Sequence, residues 1–234
     1  MNRHVLITGG LGTIGTAMAT RFADAGHRVT VLDRPGGAAP AGMGWLGVDL
    51  DDLAGAEAAV GALVRESAVD ILVNNAALII NKLFEEFSLA EYEDQIRVNS
   101  SASFALARAC APAMKAQGWG RIINLTSVTL SGEWDGYVPY VVSKGAQLGL
   151  TKGLARELGP NGITVNAISP GAVLSEAENR VFGDRLAEYD KWVRGRQCLK
   201  TRIEAGDIAA LALFLASDDA RMISGQNIAV DGGW

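Results

Sequence analysis

Tyr140 and Lys144, in the run Tyr140-Val141-Val142-Ser143-Lys144, are spaced to do proton chemistry. On a helix, residues four apart lie one above the other on one face, so a phenol and an ammonium reach the same small volume. A phenol with an ordinary pKa near ~10 acts as an acid/base at neutral pH only if nearby positive charge stabilises its phenolate, and Lys144 would supply that charge. Ser127 follows the apolar run from Arg121 to Leu125, which reads as a strand. Its hydroxyl therefore falls at a strand's C-terminal edge, where open parallel sheets build their sites. Taken singly, the Tyr-Lys spacing arises on any helix and Ser127 reads equally well as a strand-end hydroxyl, so the rest of the chain must supply the context.

That context begins at the N-terminus. Thr8-Gly9-Gly10-Leu11-Gly12-Thr13-Ile14-Gly15 contains GxGxxG from Gly10 to Gly15, after a predicted strand and at the start of a predicted helix. Glycines let the backbone approach a pyrophosphate, and a helix N-terminus offers unpaired N–H groups and partial positive charge to it. Asp33, at the end of the second predicted strand, can accept hydrogen bonds from both ribose hydroxyls and repel a 2′-phosphate, which predicts NAD rather than NADP. Arg34 beside it could instead pair with a 2′-phosphate. Asp49-Leu50, after the third strand, places a carboxylate either at the adenine or at the cap of the following helix. Asn74-Asn75-Ala76-Ala77, after the fourth strand, supplies small residues and amides where the cofactor would cross the sheet edge; it also has the composition of a turn.

Short Val- and Ile-rich runs alternate with longer helical patterns along the chain. Predicted strands cover 4–7, 28–32, 44–48, 71–73, 121–125, 164–168 and 227–230, and predicted helices 13–25, 53–66, 89–117, 140–158 and 205–217. This is the pattern of an α/β, Rossmann-like, doubly wound three-layer sandwich around a mostly parallel seven-stranded sheet. One dinucleotide-binding catalytic domain is expected over 1–234, with a substrate lid at about 172–202, a polar stretch without a strand-like run that still carries Tyr189 and Trp192.

The chain has 234 residues and is 49% hydrophobic, enough to bury a core on both faces of a sheet. A net charge of -5, without a long basic run, argues against electrostatic binding of nucleic acid or an anionic membrane and favours a small-molecule partner. Cys110 and Cys198 are far apart with no CxxC pair and no nearby histidine, so no metal site or disulfide framework is expected. The opening residues enter a strand pattern at once, and no apolar stretch reaches spanning length; a cytoplasmic location is the resulting expectation.

Together these motifs resemble the short-chain dehydrogenase/reductase superfamily, in its compact form, over essentially the whole chain. The resemblance implies a catalytic tetrad of Asn99 (in Arg97-Val98-Asn99), Ser127, Tyr140 and Lys144. It assigns cofactor contacts to Gly9, Leu11, Gly12, Thr13, Ile14, Gly15, Asp33 and Arg34 on the phosphate and ribose side. Asp49 and Leu50 fall at the adenine, and Asn75, Ala76 and Ala77 on the adenosine side. Tyr140, Lys144, Pro170, Gly171, Val173 and Ser175 fall around the nicotinamide. Thr8 and Asn74 would brace the central strands. Asn99 would anchor a water that relays protons from Lys144. The chain departs from the family pattern in three places. Thr13 stands where compact members carry glycine, Ala77 ends a motif that usually ends in glycine, and Ser175 replaces a threonine that bonds the carboxamide.

Between Ser127 and Tyr140, the residues Trp134, Asp135 and Tyr137, with Trp192 from the lid, would form the substrate wall. Glu133 and Asp135 could bind hydroxyls of a sugar or polyol or simply face solvent, whereas Arg180, Arg185, Arg194 and Arg196 could grip an acidic substrate. The leading expectation is NAD-linked oxidoreduction of a secondary alcohol. An NADPH-dependent reductase of 3-oxoacyl-carrier-protein type and a non-enzymatic nucleotide sensor are the alternatives, the second weakened by the intact tetrad. Gly145, Gly149 and Gly153 form a smooth stripe that must pack closely, either on the chain's own sheet and neighbouring helix or, as in the family, in a homo-oligomer, tetramer or dimer.

Overall fold

The computed structural model describes residues 2–234, the side chain of Ala177 excepted. Seven strands form one sheet: β1 (His4–Thr8), β2 (Arg28–Asp33), β3 (Gly44–Gly47), β4 (Ile71–Asn74), β5 (Gly120–Leu125), β6 (Ile163–Pro170) and β7 (Asn227–Val230). Their order is β3-β2-β1-β4-β5-β6-β7, and every neighbouring pair is parallel. The sheet is thus wholly parallel, with all strands ending on one edge. The chain winds outward from β1 to β3 and then returns to start again at β4, so the order reverses between β1 and β4. Such a switch point opens a crevice above the strand ends.

Alternating side chains divide the core into two layers. Val5, Ile7, Val31, Val73 and Ile123 face α1 (Thr13–Asp24) and α8 (Ala205–Ala216), where Met18, Phe22, Ile208 and Leu215 are buried with them. Leu6, Leu72, Ile122 and Val165 face the opposite layer, meeting Val60 of α2 (Leu53–Glu66), Leu106 and Met114 of α4 (Ala102–Gln117) and Leu158 of α5 (Val138–Leu158). Because both faces are covered, β1, β4 and β5 are buried along their whole length; β1 and β4 carry unbroken apolar triplets, and β5 buries Arg121 and Asn124 among its apolar residues.

Three sequence expectations need correction. The helix expected over 89–117 is α3 (Leu89–Ile96) and α4 joined by a π-helical turn, Arg97–Ser101, in which Asn99 sits. Such single π turns recur at functional sites. The polar stretch 172–202 holds two helices, α6 (Glu176–Phe182) and α7 (Leu186–Arg196). Ser175 caps the first by accepting from Glu178 N at 3.2 Å. Finally, Asp49 does not cap α2. That role belongs to Asp52, which accepts from Gly55 N at 3.0 Å, while Asp49 accepts from Asp51 N and stays exposed. No helix of the described residues is long and apolar enough to cross a membrane.

Candidate active site

The glycine turn links the end of β1 to α1, and its shape depends on missing side chains. Gly9 has φ +63°, in the left-handed region, and a Cβ there would lie 2.8 Å from Ala76 Cα. A Cβ at Gly15 would overlap the Gly9 carbonyl oxygen. Gly12 is open by comparison, and Thr13, the first residue of α1, is exposed, so the threonine points its side chain outward instead of narrowing the turn. Thr8 braces the crossing: its Oγ1 accepts from Asn75 N and Ala76 N, both at 3.0 Å. Asn75 Nδ2 returns hydrogen bonds to the Thr8 and Gly9 carbonyls, each 3.0 Å long. Asn74 Nδ2 donates to Asn124 Oδ1 at 2.8 Å, joining β4 to β5.

Asp33 stands at the end of β2 with one carboxylate oxygen 3.0 Å from Leu11 N and the other 2.9 Å from Arg34 N. Its acceptor group is thereby fixed beside the glycine turn, while Arg34 is exposed. A helix N-terminus, a turn that excludes side chains and a fixed carboxylate make a donor and acceptor set that fits the pyrophosphate and ribose of a dinucleotide. Farther along the edge, Pro170 ends β6, and a Cβ at Gly171 would lie 2.8 Å from Asp231 Cα. Val173 is buried in the core and bridges Ile203. Leu50 is also a core residue, whereas Ala77 lies at the rim.

Ser127, Tyr140 and Lys144 meet at the same edge. Ser127 Oγ accepts from Thr129 N at 3.2 Å and from Thr129 Oγ1 at 3.0 Å, so its own proton is free to be donated. It goes to Tyr140, and this hydrogen bond lowers the phenol's pKa. Burial acts more strongly in the other direction, and with a smaller upward push from Tyr137 the phenol stands at about 12. Lys144 Nζ lies 5.4 Å from the centre of the Tyr140 ring. Burial brings this ammonium down to about 7. The expectation that Lys144 draws the phenol down is therefore not met in this state: burial is the largest influence on both groups and pushes each towards its neutral form. Asn99 is buried, and its side chain is fully engaged, accepting from Leu78 N at 2.6 Å and donating to Leu78 O at 3.0 Å and Ser143 Oγ at 2.9 Å.

A stability prediction follows from Lys144. Its pKa in the fold, about 7, is below the ordinary 10.5, so between these values the unfolded chain binds the extra proton. Stability due to this residue thus rises with pH over that interval and is lost as pH falls through about 7. Urea titrations of wild type and Lys144→Met between pH 7 and 10 should show a shallower pH slope in the variant; equal slopes would remove the burial cost assigned to Lys144.

The expected substrate wall is a cluster of rings. Trp134 stacks on Trp234 with centroids 4.4 Å apart, Trp192 meets both edge-on at 5.3 and 5.1 Å, and Trp134 Nε1 donates to the Tyr189 hydroxyl at 3.1 Å. Phe182 stacks on Tyr189. Tyr137 is buried, its ring 6.1 Å from that of Tyr140. Trp234 is held there because Leu199 N and Cys198 N donate to Gly232 O and Gly233 O at 2.8 and 3.0 Å. Sequence reasoning missed Trp234, Phe182 and the hydroxyl of Tyr189, since pairing between a chain's last residues and the end of a helical segment leaves no periodic signal. Glu133 forms an ion pair with Arg196 at 2.7 Å, and Arg194 with Asp190 at 2.8 Å, so these groups are engaged with one another. Asp135 is exposed, its backbone carbonyl accepting from Asn81 Nδ2 at 3.0 Å. Arg202 is buried, bonded to Glu178 and, at 2.9 Å, to Asp190, which ties α6 and α7 to the start of α8. No group of His, Cys, Asp and Glu among the described residues could hold a metal ion.

Comparison with known proteins identifies the family. The profile of the family described as Enoyl-(Acyl carrier protein) reductase matches residues 10–234. A probable galactose dehydrogenase of Rhizobium meliloti is 34% identical over 99% of this chain and 94% of its own length. A 3-oxoacyl-[acyl-carrier-protein] reductase of Staphylococcus epidermidis is also 34% identical, over 100% of this chain and 99% of that protein. Among solved structures, a putative NAD(P)-dependent gluconate 5-dehydrogenase from Beutenbergia cavernae, with NADP bound at low occupancy, superposes with a TM-score of 0.90 at 34% identity, covering 99% of this chain and 96% of the other. The chain belongs to the short-chain dehydrogenase/reductase superfamily, a family of nicotinamide-dependent oxidoreductases acting on alcohol and carbonyl groups.

Proposed function

We propose that this protein transfers hydride between a secondary alcohol and NAD(H), with Tyr140 as general acid/base and a sugar, polyol or similar small hydroxy metabolite as substrate. The observation that carries this reading is the meeting of Ser127, Tyr140 and Lys144 on the edge that also carries the glycine turn and Asp33. Bound nicotinamide would supply the acceptor or donor of hydride; the protein's own task is to position the alcohol and move its proton. Tyr140 Oη takes the hydroxyl proton in oxidation and returns it in reduction. Ser127, its proton donated towards this oxygen, steadies charge developing there. Asn99 fixes the π turn against Leu78 and Ser143. Both hydrogens of its amide are spent, so its side chain keeps no donor for a proton relay from Lys144.

The ring cluster supports a small, hydroxyl-bearing substrate. Rings offer flat apolar faces, and Asp135 offers an acceptor at the rim. Arg194 and Arg196 are paired with acidic neighbours, which leaves these two less available to an acidic substrate. Helices α6 and α7 then act as a lid that carries Tyr189 and Trp192 over the alcohol. Replacing Trp192 by alanine should raise KM about fivefold to tenfold with less change in kcat, since one ring contact contributes about 1 kcal/mol. A second copy of the chain covers the glycine face of α5, where a side chain at Gly149 or Gly153 would meet nothing within 4 Å, so the stripe does not pack on its own sheet. Phe104 and Val142 are 49% and 41% exposed beside it. Sedimentation should find a dimer or tetramer.

The direction of the pH dependence follows from Tyr140. With the phenol held up to about 12, it is protonated at neutral pH, ready to serve reduction, while oxidation needs the phenolate. Oxidative kcat/KM should therefore climb with pH between 7 and 9, by up to about tenfold per unit for a single ionisation. A flat profile would remove the phenol from the rate law. The reading as a whole is tested by following NADH fluorescence across sugars, polyols, hydroxy acids and aromatic alcohols with both cofactors. Turnover confined to acyl thioesters with NADPH would replace it with the reductase alternative.

A further inference from the structure

Four polar side chains, Ser143, Lys144, Gln147 and Thr151, line the buried face of α5, each no more than 1% exposed. A helix face packed on a sheet is ordinarily apolar, and each buried polar group destabilises the fold unless it is hydrogen-bonded. Ser143 and Thr151 bond carbonyls of their own helix, Tyr140 O at 2.7 Å and Gln147 O at 2.9 Å. Ser143 Oγ and Thr151 Oγ1 also accept from Asn99 Nδ2 and Asn124 Nδ2, at 2.9 and 2.8 Å, whereas Gln147 is the side chain that bonds the Lys144 ammonium. Its Oε1 accepts from Lys144 Nζ at 3.2 Å, and its Nε2 donates to Ser103 Oγ on α4 at 3.0 Å. Ser103 Oγ in turn donates to the backbone carbonyl of Asn99 at 3.5 Å. Lys144 Nζ makes one further hydrogen bond, 2.6 Å long, to Leu125 O at the end of β5.

We propose that Gln147 is a positioning residue: it holds the Lys144 ammonium against the Leu125 carbonyl and ties it, through Ser103, to the π turn that carries Asn99. An ammonium has three donors on a tetrahedral nitrogen. Two are anchored by acceptors on different elements, so the direction of the third is fixed. A leucine or methionine would fill the same volume but leave Lys144 with one acceptor. The ionisable groups facing Lys144 are few. Tyr140 lies on its own helix, with Tyr137 beyond it at the helix start; β5 presents a backbone carbonyl, and α4 and the π turn present the uncharged Ser103 and Asn99. Among the described residues, no carboxylate competes with the amide for the ammonium. A carbonyl that accepts from a cation favours the charged form, so Gln147 keeps Lys144 protonated to higher pH than burial alone would allow.

The hold can be tested without turnover. With 13C-labelled lysine, the titration of Lys144, identified by its loss in Lys144→Met, should shift down by about half a pH unit or more in Gln147→Leu, the size of one neutral hydrogen bond. Ser103→Ala, which removes only the anchor of the amide, should give a smaller shift of the same sign and serves as the test if the leucine variant does not fold. An unchanged midpoint in the folded variants would overturn the proposal.

Discussion

Replacing Tyr140 by phenylalanine is expected to lower kcat at least ~100-fold, the low end for loss of a positioned general acid/base, while NAD still binds. The change removes one oxygen from a ring 8% exposed, so the packing of α5 on the sheet is retained. What disappears is the acceptor of the Ser127 hydrogen bond and the group that exchanges a proton with the alcohol. The cofactor contacts proposed at Gly9, Gly15 and Asp33 belong to the other half of the site and are untouched. Single-turnover kinetics would locate the loss in the chemical step, and a dinucleotide titration by fluorescence would show unchanged affinity. Near wild-type turnover in this variant would take Tyr140 out of the mechanism.

Much of this site was legible because its chemistry depends on spacings that the fold preserves. The period of four in Tyr140 and Lys144 puts them on one helix face, and the apolar run of β5 carries Ser127 to the sheet edge beside them. The central strands could be read from their Val- and Ile-rich runs, which helices cover on both faces, whereas β3, Gly-Trp-Leu-Gly, and β7 at the sheet edges are partly exposed. The π turn at Asn99 could not. Its hydrogen-bond register shifts by one residue without any change in apolar pattern, so 89–117 reads as one helix. Helices α6 and α7 were hidden for a different reason. They pack through stacked rings and the Arg202 ion pairs instead of an apolar stripe, so their sequence resembles a polar loop. Gln147 left a faint signal, a polar residue one turn beyond Lys144 on the same face. Its meaning appeared only when Ser103 was seen opposite, on a helix distant in sequence.

The cofactor itself provides the second large effect. On the proposed placement of the cofactor, the chain should favour NAD over NADP by at least ~100-fold in kcat/KM, because Asp33 would face a 2′-phosphate. Unit charges about 4 Å apart repel by about 1 kcal/mol in water and about 4 kcal/mol near a protein surface, and a phosphate carries nearly two of them. Asp33 cannot easily swing away, since its two oxygens are bonded to Leu11 N and Arg34 N at 3.0 and 2.9 Å. Arg34 opposes this as a source of positive charge, but its side chain is exposed, where solvent and salt weaken its pull on a phosphate. A relative of known structure, described as a putative NAD(P)-dependent enzyme, holds NADP at low occupancy, so the fold by itself does not exclude the phosphorylated cofactor. Asp33→Ser should remove the repulsion, keep a hydroxyl for the ribose and bring the two cofactors to within about tenfold of each other. If wild type already turns over NADP as well as NAD, the carboxylate does not face the ribose, and the placement of the dinucleotide along β2 must be redrawn.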